Sequence, residues 1–154
     1  MSPPLLVHAT AVAIATAVGP RAVLLRGASG SGKSDLALRL IDAGARLVAD
    51  DQSELSQHGE TIIVRAPAAI AGLIEVRGVG ILRLDTIAEA PLALVADLIA
   101  PELIERLPSL AYERILELDV PRISVAPFAA SAAAKVSLAL RAFAGDGVPA
   151  IIRG

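Results

Sequence analysis

The chain has 154 residues, 55% of them apolar and 19% charged, with a formal net charge of −2; this fits one domain with a real hydrophobic core and excludes a disordered segment. So small a net charge gives no general attraction for nucleic acid or anionic membrane, and an aromatic content of 2% leaves little on which single-stranded bases could stack. Without a single cysteine, disulfides, thiolate metal sites and cysteine nucleophiles are all excluded.

The N-terminus lacks the charged flank of a signal peptide. The apolar run Ala9–Val18 is too short to span a bilayer, so a cytoplasmic protein is expected. Val12–Ala17 and Ala22–Leu25 predict two short strands joined by a turn at Val18-Gly19-Pro20-Arg21. Gly27–Gly32 predicts a tight loop. Ser34–Ala43, with apolar Leu36, Ala37, Leu40 and Ile41, predicts a helix stopped by Gly44. Arg46–Ala49 reads as a buried strand ending at Asp50-Asp51. Gln52–Gln57 and Thr61–Arg65 read as a hairpin around His58-Gly59.

Leu73–Leu84 is apolar but interrupted by Glu75, Arg77, Gly78 and Gly80. Leu92–Ile99 predicts another buried strand, and Pro101–Pro108 a loop or short helix. Ile115–Leu118 and Arg122–Val125 predict short strands around Pro121, and Ala130–Ala142 a helix. There is no repeat, low-complexity tract or linker. The expectation is a single α/β domain, residues 1–154, with some antiparallel pairing.

The segment Gly27-Ala28-Ser29-Gly30-Ser31-Gly32-Lys33-Ser34 matches the phosphate-binding pattern G-x-x-x-x-G-K-[ST]. A predicted strand precedes it and a predicted helix follows. The glycines let backbone N–H groups turn inward around phosphate oxygens, and the helix adds the positive end of its dipole. Lys33 would neutralise the β- and γ-phosphates, and Ser34 would offer its hydroxyl to Mg²⁺. A Gly/Ser-rich turn that matches by chance would not sit between a strand and a helix.

Phosphoryl transfer also needs carboxylates near the γ-phosphate, one for Mg²⁺ and one for the acceptor's proton. Asp50-Asp51 after an apolar strand supplies a pair, and Asp97 after Leu92–Ala96 is a weaker candidate. Adjacent aspartates persist where a cation or water offsets their repulsion, though a solvated turn also favours Asp. Glu75 and Arg77, two apart on a predicted strand, share a face; a site and a solvated ion pair are both open. His8 alone is more often structural than catalytic, and His58 beside Gly59 reads as an exposed turn.

Three segments together carry a family resemblance: Gly27–Asp35, Val48-Ala49-Asp50-Asp51 and Ile74-Glu75-Val76-Arg77-Gly78-Val79-Gly80-Ile81. In order and spacing the chain resembles the kinase domain of the HPr kinase/phosphorylase family, especially the short proteobacterial members that lack the N-terminal domain. The resemblance runs from about His8 to Ala144, and its last segment is far more specific than a P-loop. It implies a P-loop kinase domain with a mixed sheet, like that of HPr kinase and PEP carboxykinase, with a helix after the Walker A loop and a C-terminal helix. No N-terminal regulatory domain is expected.

The resemblance further implies an ATP- and Mg²⁺-dependent serine kinase whose substrate is HPr, the phosphocarrier of the phosphotransferase system. His8 matches the family's active-site histidine, although the stretch from His8 to Gly27 is a few residues longer than usual. Lys33 and Ser34 match the phosphate lysine and Mg²⁺ serine, Glu75 a second Mg²⁺ ligand, and Asp51 the proton acceptor, with Asp50 its acidic neighbour. Arg114, in Tyr112-Glu113-Arg114, fits an active-site arginine whose usual neighbour is Asp; Arg77 is a second arginine for the transferring phosphoryl. After Val120–Val125 bifunctional members carry arginines, whereas this chain reads Ala126-Pro127-Phe128-Ala129-Ala130-Ser131. That departure implies kinase activity rather than the reverse phosphorolysis. The family also implies a homo-oligomer, a hexamer. From the residues alone, a P-loop kinase for a small metabolite and a non-catalytic nucleotide-sensing module remain open.

Overall fold

A computed structural model of the chain describes residues 3–68, 72–145 and 151; the remaining parts of the expected 1–154 domain lie outside the described residues. Nine of the strands form one sheet. Along it run β1 (Leu5–Val7), β5 (Ser53–His58), β6 (Thr61–Arg65), β9 (Glu89–Leu98), β3 (Arg21–Arg26), β2 (Thr10–Ile14) and β4 (Arg46–Ala49), in that order. β11 (Leu118–Val125) pairs with β9 and with β10 (Ala111–Ile115). β7 (Leu73–Val76) and β8 (Gly80–Arg83) form a separate hairpin. The helices are α1 (Lys33–Asp42) and α2 (Ala132–Phe143).

The sheet is mixed. β3, β9 and β11 are mutually parallel, and β2 is antiparallel to both β3 and β4. β4 therefore runs parallel to β3, and the C-terminal ends of β3, β4, β9 and β11 share one edge. In open sheets of this kind that edge is where ligands bind.

Both faces of the central strands are buried, which explains their near-continuous apolar sequence. Alternate residues point to opposite faces. Val12, Val23, Leu25, Leu94 and Ala96 pack under α1 and α2 with Leu36, Leu40, Val136 and Leu140. Ala11, Ala13, Ala22, Leu24 and Val95 face a second core completed by Leu55, Ile62, Val64, Ile115 and Val120. The strand order accounts for this: β9 is long enough to pair with β6 at its start and β11 at its end, so the sheet curls over itself.

Several boundaries differ from expectation. The first central strand ends at Ile14 rather than Ala17, because Thr16 closes a turn: its Oγ1 donates to the Gly19 carbonyl at 2.6 Å and accepts from Val18 N–H at 3.2 Å. Ile115–Leu118 is not a strand but the ends of a two-residue turn, and β11 runs through Pro121. The proline is tolerated because pairing with β9 starts only at Arg122. α1 ends as expected at Gly44, φ +113: Gly44 N–H bonds the Ile41 carbonyl and Ala45 N–H bonds that of Leu40, the Schellman arrangement. Among the described residues, no helix is long and apolar enough to cross a membrane.

Candidate functional site

Strand β3 delivers the chain to Gly27, and the loop that follows turns on Gly30 (φ +79) and Gly32 (φ +101) into α1. Lys33 is buried, 6% exposed. Its Nζ donates to the Gly27 and Ala28 carbonyls at 2.8 and 3.1 Å, and among the described residues it has no carboxylate partner. A buried ammonium balanced only by carbonyl dipoles favours an anion beside it. The buried Ser31 Oγ has no hydrogen-bond partner. Together with the N–H groups of the α1 terminus, these are the groups a phosphate oxygen would satisfy.

The base of this loop is anchored laterally. Arg26, the last residue of β3, donates to both oxygens of Asp97 at 2.8 and 3.1 Å and to Glu113 at 3.2 Å. Arg122 donates to the same Glu113 oxygen at 3.0 Å. Asp97 is thus a partner of Arg26. Hydrogen bonding to Asp97 raises the Arg26 pKa, and the Arg26 guanidinium holds Glu113 below the usual carboxylate range. A depressed carboxyl stabilises the fold above its ordinary value of 4.5, and that stabilisation disappears as pH falls through the lower folded value. Glu113→Gln should therefore cost about 0.5–1 kcal/mol at neutral pH. Urea melts at about pH 7 and about pH 3 check this, since the difference between the two proteins should shrink in acid; an equal difference at both would exclude the charge.

Two strands away, β4 ends at Asp50 and Asp51. Ser34 Oγ donates to Asp50 Oδ1 at 2.7 Å, so the helix start and the strand end meet. Thr10, fully buried on β2, holds the aspartates: its hydroxyl donates to Asp50 Oδ1 at 3.1 Å and accepts from Asp51 N–H at 3.0 Å. Gln52 N–H bonds the Asp50 carbonyl at 2.7 Å, closing a three-residue turn with Asp51 at its centre at φ +65. This is an uncommon backbone for a non-glycine residue, and one that clusters at functional sites. The Asp51 side chain is 60% exposed and lies 2.6 Å from His8 Nε2.

The β7–β8 hairpin closes the other wall. Glu75 N–H approaches Asp50 Oδ2 at 3.4 Å. Glu75 and Arg77 both line a cavity of about 500 Å³ shared with Ser29, Gly32, Lys33, Ser34, Asp50 and Asp51. Sequence reasoning thus named residues from three separate segments that the fold brings together. Arg114 is the exception: it sits on the exposed β10–β11 hairpin, its Nη1 3.3 Å from Asp119, and does not line the cavity. Thr10 was missed, since a threonine inside an apolar strand carries no signal of its own.

The donors fit a hard divalent cation: a hydroxyl and two carboxylates, Ser34, Asp50 and Glu75. No group of three or more acidic or histidine side chains forms a metal site among the described residues.

Comparison with known proteins identifies relatives of the chain. The HPr kinase/phosphorylase of Halalkalibacterium halodurans is 38% identical over 115 residues, covering 67% of this chain and 37% of the relative. That of Exiguobacterium sibiricum is 50% identical over 66 residues, 42% of this chain and 21% of the relative. The chain therefore spans little more than a third of the length of these curated relatives. The solved Hpr(Ser) kinase/phosphatase from Coxiella burnetii superposes with a TM-score of 0.75 at 26% identity, covering 89% of this chain and 94% of that one. The family model for the HPr serine kinase C-terminal domain matches residues 1–136, and the chain belongs to that family.

Proposed function

We propose that the protein is an ATP- and Mg²⁺-dependent protein-serine kinase acting on HPr, in the cytoplasm. The observation that carries this is the 2.7 Å bond between Ser34 and Asp50: it joins a phosphate-gripping loop to a pair of aspartates in one cavity. In this reading the loop N–H groups and Lys33 hold the phosphates. Ser34, Asp50 and Glu75 would hold Mg²⁺, which would supply positive charge to offset that of the phosphates.

Asp51 orients the incoming serine hydroxyl and accepts its proton. Its exposure suits an acceptor arriving on another protein, and His8 steadies the carboxylate from the solvent side. Arg77, on the cavity wall, faces the charge that spreads over the transferring phosphoryl. The serine oxygen bonds to the γ-phosphorus, the bridging bond to ADP breaks, and the proton leaves on Asp51. Most of the acceleration comes from positioning and electrostatics.

Arg114 could act only if a second copy of the chain presented it, within the homo-oligomer, hexameric by family likeness, that we also propose; sedimentation as a monomer would remove both. The main test is intact-mass measurement of HPr after incubation with this protein and Mg·ATP. One added phosphate on a serine is the expected result. Unmodified HPr, with small hydroxylated metabolites phosphorylated instead, would overturn it.

A further inference from the structure

Phe128 is one of only two phenylalanines in the chain. It is 70% exposed yet lines the same cavity as the phosphate loop. Leaving so large an apolar ring in water beside a polar site costs burial that its neighbours do not recover. The ring is not adrift. It follows β11, whose next residues are tied to α1: Arg39 donates to the Pro127 carbonyl and, at 3.2 Å, to that of Ala129. The ring's outer edge rests over Gly32, where an added Cβ would stand 2.9 Å from Phe128 Cζ.

The strand order says which part of a nucleotide lies there. Along the binding edge the sequence is β4-β2-β3-β9-β11. The phosphate loop leaves β3. The aspartates leave β4, two strands to one side, and Phe128 follows β11, two strands to the other. Adjacent strands are about 4.8 Å apart, so the ends of β4 and β11 stand about 10 Å to either side of the end of β3, and both the aspartates and the ring lean in from there onto the loop. A polyphosphate whose reacting end meets Asp50 and Asp51 must send its other end toward Phe128.

We infer that Phe128 is the nucleobase platform of this protein: the base of a nucleoside triphosphate stacks on its ring, with Leu38 of α1 as the apolar floor. This rests on the phosphate-loop reading above and adds the subsite that reading leaves undescribed. Asp35, also on the cavity wall, is engaged by Arg39 at 3.0 Å. The platform recognises a flat ring by contact.

The test compares two probes on the full chain, Mg·ADP and inorganic tripolyphosphate, by calorimetry. Phe128→Ala should weaken Mg·ADP by about tenfold, the ordinary scale for losing one aromatic–base stack, and leave tripolyphosphate within about twofold. Phe128→Trp should restore ADP binding. Unchanged ADP affinity in Phe128→Ala would overturn the platform, as would equal weakening of both probes, which would mean that the ring only supports Gly32. A raised KM for HPr alone would overturn it by giving the ring to the protein acceptor. If the wild-type chain bound neither probe, or Lys33→Ala left both unaffected, the phosphate-loop reading itself would fall.

Discussion

Asp51→Asn should bind Mg·ATP as the parent does and transfer phosphate to HPr about 10²–10⁴ times more slowly, the range spanned by loss of a positioned general base. The substitution is unusually clean at this position. Asn is among the few residues that accept the left-handed backbone required at φ +65, and its Oδ1 can still take the hydrogen bond from His8. The turn, the Thr10 contact to the residue-51 N–H and the fold all persist. What disappears is the capacity to take a proton. Thermal midpoints of the two proteins should coincide, so a loss of rate reports chemistry and not unfolding. Single-turnover transfer from Mg·ATP to HPr is the measurement, with nucleotide affinity measured alongside. Parental rates would remove Asp51 from the mechanism and leave its backbone strain without a functional reason.

The phosphate loop was legible because strand, glycine pattern and helix agree with one another. At each level the same residues vote for the same structure. The aspartate pair and Glu75 were legible only as chemistry in need of a location, and the fold supplied it by setting β4 two strands from β3. The β10–β11 hairpin was not legible. Its turn is Leu116-Glu117, with Leu116 at φ +54, and contains neither the Gly nor the Asn that normally marks such a backbone. Pro121 then suggested a break where a strand continues. β1 escaped notice for a different reason: it is three residues on the sheet's outer edge, two of them exposed, and so has no alternation to detect. Phe128 was seen in the sequence only as the place where arginines are missing. Its position beside Gly32 depends on the length of β11 and on Arg39 gripping the following loop, neither of which a motif encodes. The alanines follow the same logic. Ala11, Ala13 and Ala22 carry no local signal, yet they let β5, β6 and β10 pack close over the back of the sheet.

Asp50→Asn should fail in a manner that separates it from its neighbour. Asp50 Oδ1 accepts from both Thr10 and Ser34, bonds that an Asn carbonyl oxygen retains. The other carboxylate oxygen lies 3.4 Å from the Glu75 N–H, where an amide NH₂ would set donor against donor. The variant therefore keeps the Ser34 contact but loses the negative charge and loosens the wall that carries Glu75. If Asp50 serves the metal, turnover should drop by about 10²–10³-fold, as when one preorganised electrostatic group is removed from a phosphoryl-transfer site. The Mg²⁺ concentration for half-maximal rate should rise, and excess Mg²⁺ should recover part of the loss. Nucleotide binding without Mg²⁺ should be unaffected or slightly tighter, because one negative charge facing the phosphates is gone. Asp51→Asn, by contrast, should leave the Mg²⁺ requirement alone. Rate measurements across a Mg²⁺ titration of both variants decide the matter. Identical Mg²⁺ curves would mean that the aspartates share one role, and the division between metal support and proton acceptance would have to be given up. Divergent curves would follow directly from the geometry, in which a single buried threonine holds one carboxylate against Ser34 and turns the next toward solvent.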